Sequence, residues 1–325
     1  MKIDRHFAHF AWGTLIYNLA VVLWGAFVRA TGSGAGCGSH WPLCNGEVLP
    51  RAAQVETLIE FTHRITSGLA LLFVIILFIW AFRLVPAGHI LRLGASLALF
   101  FIITESLVGA ALVRFEWVAG NVSMGRVVSM AVHLVNTFLL LASLALTAWW
   151  ASGGERVRLR GQGRALAGIA IGFAGILILG VTGAITALGD TIFPASSLGE
   201  AIQQDFSPTS HFLIQLRIWH PVTAVVVGFY LAFVGSMLAR LRGQIIVKRM
   251  AVGLGVLFVI QLLAGFVNVI LLVPVPMQII HLLLADAVWI TFILLSAAAL
   301  GEPADAPAFE VQTSQSAHLS APTSS

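Results

Sequence analysis

Long apolar runs are the feature that most constrains how this chain folds. Runs of about 20 mainly apolar residues recur along it, which is the length an α-helix needs to cross the hydrocarbon core of a bilayer. Lipid-exposed strands would show alternating polar and apolar residues, and the sequence lacks that alternation. We therefore predict an all-α polytopic membrane protein with eight transmembrane helices, near 10–30, 60–82, 90–113, 127–150, 165–188, 211–239, 250–272 and 277–299.

Basic residues indicate how these helices are oriented. When the spans are threaded alternately through a bilayer, most lysines and arginines outside the runs fall on one side, which the positive-inside rule makes cytoplasmic. Only 10% of the residues are charged and 58% are hydrophobic, a composition that excludes an ordinary soluble domain. We expect a multi-pass protein of the cell (plasma) membrane with cytoplasmic termini, and the net charge of +4 requires no nucleic-acid partner.

The chain contains two cysteines, Cys37 and Cys44, and both fall in the first loop on the opposite, extracytoplasmic side. An oxidising exterior favours a disulfide there. The disulfide would be either a structural staple or a labile, functional bond. A zinc site is the weaker alternative, because only His40 stands nearby as a third ligand and structural zinc takes four.

The second half of the chain repeats the spacing of the first. Because each half contains an even number of spans, the repeats run parallel, and we expect two four-helix bundles related by an axis along the membrane normal. The matched pairs are Gly25 and Gly183, His63 and His220, Gly109 and Gly265, and His133 and His281, with offsets of 158, 157, 156 and 148 positions.

This repeat predicts the domain organisation. Residues 1–151 would form the N-terminal bundle, residues 152–163 a basic cytoplasmic linker, and residues 164–300 the C-terminal bundle. The Ser-, Ala- and Pro-rich segment 301–325 would be a disordered cytoplasmic tail.

Four histidines, His63, His133, His220 and His281, each lie a few residues inside the start of an apolar run, in the outer half of the predicted membrane. A single such histidine is more often an interhelical hydrogen-bonding residue than a ligand. Recurrence in both repeats favours ligand pairs, because imidazole is a common axial ligand of haem iron and cofactor sites form between facing helices. Copper or zinc would need additional ligands clustered nearby.

The two halves differ in their other polar residues. Glu60 precedes His63 by three residues and shares its helix face, whereas Trp219 precedes His220 and the second half has no cysteine. We therefore assign chemistry to the first half and a permanent electron-carrying haem to the second. Glu105, near the middle of the third span, is either a buried acid paired with a neighbouring helix or part of a proton path.

Three arginines near the helix ends are candidates for binding anionic groups. Guanidinium pairs well with carboxylates, so Arg29, Arg64 and Arg217 are candidate partners of ligand carboxylates such as haem propionates. The alternative is that these are boundary residues whose charged ends reach the lipid headgroups.

At these residues the chain resembles the haem A synthases, the bacterial membrane family to which the mitochondrial cytochrome oxidase assembly homologues also belong. The resemblance covers residues 8 to 299. It is carried by the Gly25 to Arg29 segment, the Cys37 to Cys44 loop with Trp41-Pro42, the Glu60-Phe61-Thr62-His63-Arg64 motif, and His133, His220 and His281.

The resemblance implies an enzyme that oxidises the C8 methyl of haem O to a formyl group through hydroxylation, making haem A for terminal oxidases. Glu60 would be the catalytic carboxylate. His63 and His133 would hold the substrate haem O and the product haem A, and His220 and His281 would hold haem b. Cys37 and Cys44 would form the family's disulfide beside the substrate site.

Several partners follow from the same resemblance. Besides haem O and the lipid bilayer, they are haem O synthase and a terminal oxidase or its assembly factors, with a homo-oligomer left open. Two other functions also stay open. One is a di-haem b-type cytochrome that passes electrons between quinol and a partner. The other is a parallel-repeat transporter whose histidines couple to protons, for which Pro221 in the sixth span is a hint of a broken helix.

Overall fold

The structure is a computed structural model that describes residues 3–51 and 54–301. Within these residues the chain is mainly α-helical, with one 3₁₀ turn at Ser33–Ala35 in the long connection between the first two helices. The helices are α1 (Arg5–Ala30), α2 (Val55–Leu84), α3 (Ile90–Arg114), α4 (Met124–Ala151), α5 (Gly163–Ile192), α6 (Leu198–Phe206), α7 (Phe212–Gln215), α8 (Trp219–Arg242), α9 (Ile245–Ile270) and α10 (Val275–Ala299).

Eight of the segments are long and apolar enough to cross a membrane, with α7 and α8 counted together as Phe212–Arg242. The predicted all-α class and the multi-pass membrane character are therefore confirmed. The first helix begins earlier than the apolar run because the side chain of Asp4 accepts a hydrogen bond from the backbone N–H of His6 at 3.0 Å. That N-cap satisfies a free donor of the first turn and extends the helix beyond its apolar part.

The first four helices pack in a ring, in which α1 contacts α2 and α4, and α3 contacts α2 and α4. In the second half α8 lies between α5 and α9, and α10 packs mainly on α9. The halves meet where α4 contacts α5 and α10, and where α1 contacts α10. The internal repeat and its axis stay predictions.

The contact between α4 and α10 is aromatic as well as close. The indole N–H of Trp289 donates to the carbonyl of Phe138 at 2.8 Å, and the two rings stack with centroids 5.0 Å apart. Trp289 is 2% exposed and Phe138 is 3% exposed. In a membrane span the surrounding lipid is as apolar as the protein interior, so this interface is stabilised by the close packing of the two rings and by their interhelical hydrogen bond.

The sixth span is interrupted near its start, between Gln215 and Trp219. The N–H of His220 bonds to the carbonyl of Arg217 at 3.2 Å, a three-residue spacing in place of the α-helical one. Pro221 follows in the first turn of α8, where its missing N–H removes no helical hydrogen bond. The break therefore lies at one end of the span and not at its middle.

A non-helical segment joins α4, which ends at Ala151, to α5, which begins at Gly163; its assignment as a linker between two domains stays a prediction. The backbone N–H of Arg158 donates to the carbonyl of Leu300 at 2.9 Å, so the linker packs against the end of α10. Apart from Gly301, the predicted disordered tail lies outside the described residues.

Candidate functional site

The four histidines lie within the first three turns of α2, α4, α8 and α10. These helices begin at the end of the molecule that carries the cysteine loop, which we call the disulfide end. Hydrogen bonds join this end together. Arg114 at the end of α3 donates to Ser39 in the loop at 3.4 Å, and Arg29 at the end of α1 donates to Gln278 in α10 at 2.9 Å.

Glycines on neighbouring helices make room for three of the rings. A Cβ at Gly25 would lie 3.0 Å from Cε1 of His63, and one at Gly183 would lie 2.9 Å from Cε1 of His220. On α9, a Cβ at Gly265 would lie 3.0 Å from Cε1 of His281. Ordinary van der Waals contact begins near 3.4 Å, so each imidazole rests where any larger residue would push it away.

The repeat spacing of the glycines was visible in the sequence, but it did not show that these glycines leave space for the imidazole rings. Gly109, which the repeat pairs with Gly265, departs from the pattern, because a Cβ there would meet nothing within 4 Å. His133 is therefore held in another way.

His220 and His281 face each other across the second half. Their ring centroids are 6.3 Å apart and their planes cross at 82°. Two metal–imidazole bonds of about 2 Å each would occupy most of that separation. The hydroxyl oxygen of Thr182 lies 3.3 Å from Nδ1 of His220, and this contact orients the ring.

Buried ring nitrogens also fit a metal-centred group. Among the described residues, Nδ1 of His63 and Nδ1 of His281 are buried and make no hydrogen bond, whereas the carboxylate of Glu105 lies 3.4 Å from Nδ1 of His133. Leaving such an atom unsatisfied costs about 1–3 kcal/mol, and metal coordination is one way in which a neutral imidazole nitrogen is used. Paired imidazoles are the donor set of a six-coordinate haem iron, whose other ligands come from the porphyrin. Within the described residues, no three or more His, Cys, Asp or Glu side chains cluster to hold a metal ion.

A disulfide joins Cys37 and Cys44, as the sequence predicted, and both cysteines are at most 1% exposed. The loop that it closes is tied to α2 through Glu60. Oε2 of Glu60 accepts a hydrogen bond from the backbone N–H of Cys37 at 2.8 Å, and Oε1 accepts one from Nη2 of Arg64 at 2.5 Å. Arg64 also donates to the carbonyls of His40 and Leu43, each at 2.5 Å.

Glu60 is therefore both the anchor of the disulfide loop and a close neighbour of His63. It is 3% exposed, and the three-residue spacing places it on the same face of α2 as that histidine. An offset of 157 positions, which pairs His63 with His220, pairs Glu60 with Arg217. The second half thus carries the opposite charge at this position.

Arg217 is 8% exposed and is held by two carboxylates. Its Nη1 donates to Asp190 at 2.9 Å and its Nε donates to Asp205 at 2.9 Å. Arg29 is bound to α5 as well as to Gln278, because its Nη1 donates to the carbonyl of Ala187 at 2.7 Å. The predicted pairing of these two arginines with a ligand carboxylate stays a prediction, since protein groups engage both guanidinium groups here.

Glu105 on α3 is the residue that holds His133. Its Oε1 lies 3.4 Å from Nδ1 of His133. Asn136 donates to its Oε2 at 2.6 Å, and the hydroxyl of Thr137 donates to Oε1. The predicted alternative of a buried acid that pairs with a neighbouring helix therefore matches the observed contacts, with α4 as the neighbour.

Comparison with known proteins agrees with this geometry. The family model described as "Cytochrome oxidase assembly protein" matches residues 8–293, which is most of the chain. The chain belongs to this family. Its resemblance to the haem A synthases, which rested on the histidines, Glu60 and the cysteine loop, is thereby confirmed.

Curated relatives of this family member carry two different names. Two Thermus thermophilus proteins named "Protoheme IX farnesyltransferase" are 59% and 58% identical over 293 residues, which is 90% of this chain and 48% of each relative. Proteins named "Heme A synthase" from Lysinibacillus sphaericus and Halalkalibacterium halodurans are 40% and 48% identical over 113 and 102 residues, 34% and 31% of this chain. Those matches cover 36% and 34% of the two synthases. The chain thus spans about half the length of the Thermus relatives it matches.

The structure brings most of the predicted site residues to the disulfide end. His63, Glu60 and Arg64 lie together on α2 beneath the cysteine loop. The sequence analysis did not identify Gln261 on α9, whose Nε2 lies 3.2 Å from Nε2 of His281, or the role of Gly25, Gly183 and Gly265 beside the rings, although the repeat spacing carried a signal for these positions.

Proposed function

We propose that this chain is a haem A synthase, a membrane oxidoreductase that converts the C8 methyl of haem O to a formyl group through hydroxylation. The observation that carries the proposal is the asymmetry around two similar histidine pairs. Glu60 is buried beside His63 and anchors a disulfide loop, whereas Arg217 takes the matching position beside His220. The family and the relatives named "Heme A synthase" support haem as the substrate.

The first half would bind the substrate. His63 and His133 would hold haem O through its iron, and Gly25 would keep the ring of His63 in position. Glu60 would accept a proton from water, or balance positive charge that develops at the methyl carbon. The disulfide loop would cover this carboxylate and exclude bulk water, which strengthens its electrostatic effect.

The second half would bind a resident haem b through His220 and His281. Such a haem supplies one-electron transfer when it is bound. The protein's own contribution is to fix both rings, through Gly183, Gly265 and the hydroxyl of Thr182. We retain Arg29, Arg64 and Arg217 as proposed binding residues for carboxylates of the haem groups, with Arg64 the one closest to the substrate half.

We also propose the predicted setting of the enzyme. It would lie in the plasma membrane with both termini cytoplasmic and the disulfide loop outside, because the basic residues favour that orientation. The domains would be the predicted bundles 1–151 and 164–300 with the linker 152–163. An enzyme that attaches farnesyl to protohaem, the reaction named for the Thermus relatives, would supply the substrate, and a terminal oxidase would receive the product.

Analysis of extracted haems tests this function. The full chain is expressed in a host that makes haem O, and the haems are separated and identified by mass. We expect hydroxylated and formyl products with the natural sequence. Glu60→Gln should keep its haem and lose these products, whereas Glu56→Gln, at an exposed position one turn earlier on α2, should keep both. Absence of any oxidised product from the natural chain would overturn the proposal.

A further inference from the structure

A polar cluster between α3 and α4 surrounds His133. The amide of Asn136 donates to Oε2 of Glu105 at 2.6 Å and to the carbonyl of Phe101 at 2.8 Å. Thr104 donates to the amide oxygen of Asn136 at 2.6 Å, and Thr137 donates to Oε1 of Glu105. The carboxylate is thus held from both sides, with Oε1 directed at Nδ1 of His133 at 3.4 Å.

The second half has a different residue at the matching position. The offset of 156 positions that pairs Gly109 with Gly265 also pairs Glu105 with Gln261. Nε2 of Gln261 lies 3.2 Å from Nε2 of His281, so an uncharged amide contacts this ring, at the other ring nitrogen from the one that Glu105 approaches in His133. Its amide oxygen is buried without a hydrogen-bond partner.

The residues that hold the carboxylate have no polar counterparts. Offsets of 156 and 148 positions pair α3 with α9 and α4 with α10. The matching position is Ile260 for Thr104, Leu284 for Asn136 and Ala285 for Thr137. A charged, hydrogen-bonded partner for a histidine therefore occurs at the first pair only.

A carboxylate and an amide act differently on a ligating histidine. A carboxylate only accepts hydrogen bonds, so it directs the imidazole N–H toward itself and leaves the other ring nitrogen for the metal. It also raises the basicity of the ligand, as carboxylate–histidine–metal arrangements do. An amide carries no net charge, so it orients the ring without this electronic effect.

We propose that Glu105 is a positioning residue for the substrate haem: it fixes the ring of His133 and makes the iron between His63 and His133 harder to reduce than the iron between His220 and His281. A negative charge beside His133 would favour the ferric form of an iron held by this histidine. This inference rests on the proposed function, because it requires haem at both histidine pairs. If Glu105 served only to pack α3 against α4, its replacement would lower stability and leave the reduction potential unchanged.

Spectroelectrochemical titration of the purified full chain, loaded with haem at both sites, tests the proposal. Glu105→Gln gives the first half the amide of the second, and it should raise the midpoint potential of the first-site haem alone. A tenfold change in the ferric to ferrous equilibrium corresponds to 59 mV for one electron. The matched control is Glu116→Gln, at an exposed position beyond the end of α3, which should leave both midpoints unchanged.

The reciprocal variant keeps the test decisive if Glu105→Gln fails to fold. Gln261→Glu should lower the midpoint of the haem between His220 and His281. Unchanged midpoints in a folded, haem-loaded variant at either position overturn the inference, whatever the product analysis shows. A shifted midpoint together with no haem A from the natural chain would instead uphold this role and reject the proposed function.

Discussion

The fit between glycine and imidazole gives a prediction with a magnitude. In Gly183→Ala the new Cβ would lie 2.9 Å from Cε1 of His220. The ring must then retreat by about 0.5 Å to reach ordinary contact, and overpacking of this kind costs about 1–3 kcal/mol. If the cost falls on the haem-bound state, the dissociation constant of the second-site haem should increase about 5- to 150-fold.

Gly109→Ala is the matched control, because its Cβ would meet nothing within 4 Å. Alanine is also favoured over glycine inside a helix by about 1 kcal/mol, so this variant should bind haem normally and melt no lower than the natural chain. Haem content per protein after dilution, measured by absorbance, checks both variants. Equal haem loss from the two alanine variants, or full retention in Gly183→Ala, would refute the steric argument.

Three further predictions concern buried polar groups. Trp289→Phe removes the hydrogen bond to the carbonyl of Phe138 and should cost about 1 kcal/mol, seen as a lower Tm with unchanged haem content. Arg217→Ala leaves Asp190 and Asp205 without their cation and should destabilise by about 3 kcal/mol, whereas a Tm equal to that of the natural chain would contradict a structural role for this group. Asp286, fully buried on α10 with both carboxylate oxygens unpartnered, should tolerate Asp286→Asn with no loss of thermal stability. A lower Tm there would show that the carboxyl has a partner.

The sequence predicted the membrane class and the histidine pairs because both depend on local pattern. An apolar run long enough to span a bilayer must be helical, whatever packs against it. Repeat spacing matches His220 to His63 and His281 to His133, and the expectation that His220 and His281 meet came from their positions on facing helices of one bundle; their ring centroids are 6.3 Å apart. The disulfide followed from the presence of two cysteines in one short loop.

Contacts between distant helices could not be predicted in this way. The sequence placed Arg29 and Arg217 at helix ends, but it gave no sign that Asp190 and Asp205 would bind Arg217 or that Arg29 would reach Gln278. Such pairings depend on how helices rotate and shift on packing. Residues 198–206, between the fifth and sixth predicted spans, form α6, a nine-residue amphipathic helix whose apolar positions make too short a periodic pattern to recognise in the sequence.

The hydrogen bond from Arg29 to the carbonyl of Ala187 joins positions 158 residues apart, which is the offset that relates Gly25 to Gly183. Under the predicted repeat, position 187 corresponds to position 29, so two identical copies of the first half would place an arginine at both positions. Like charges would then meet in a buried setting and oppose association. Alanine at position 187 instead lets the single cation reach the backbone of α5 and join it to α1.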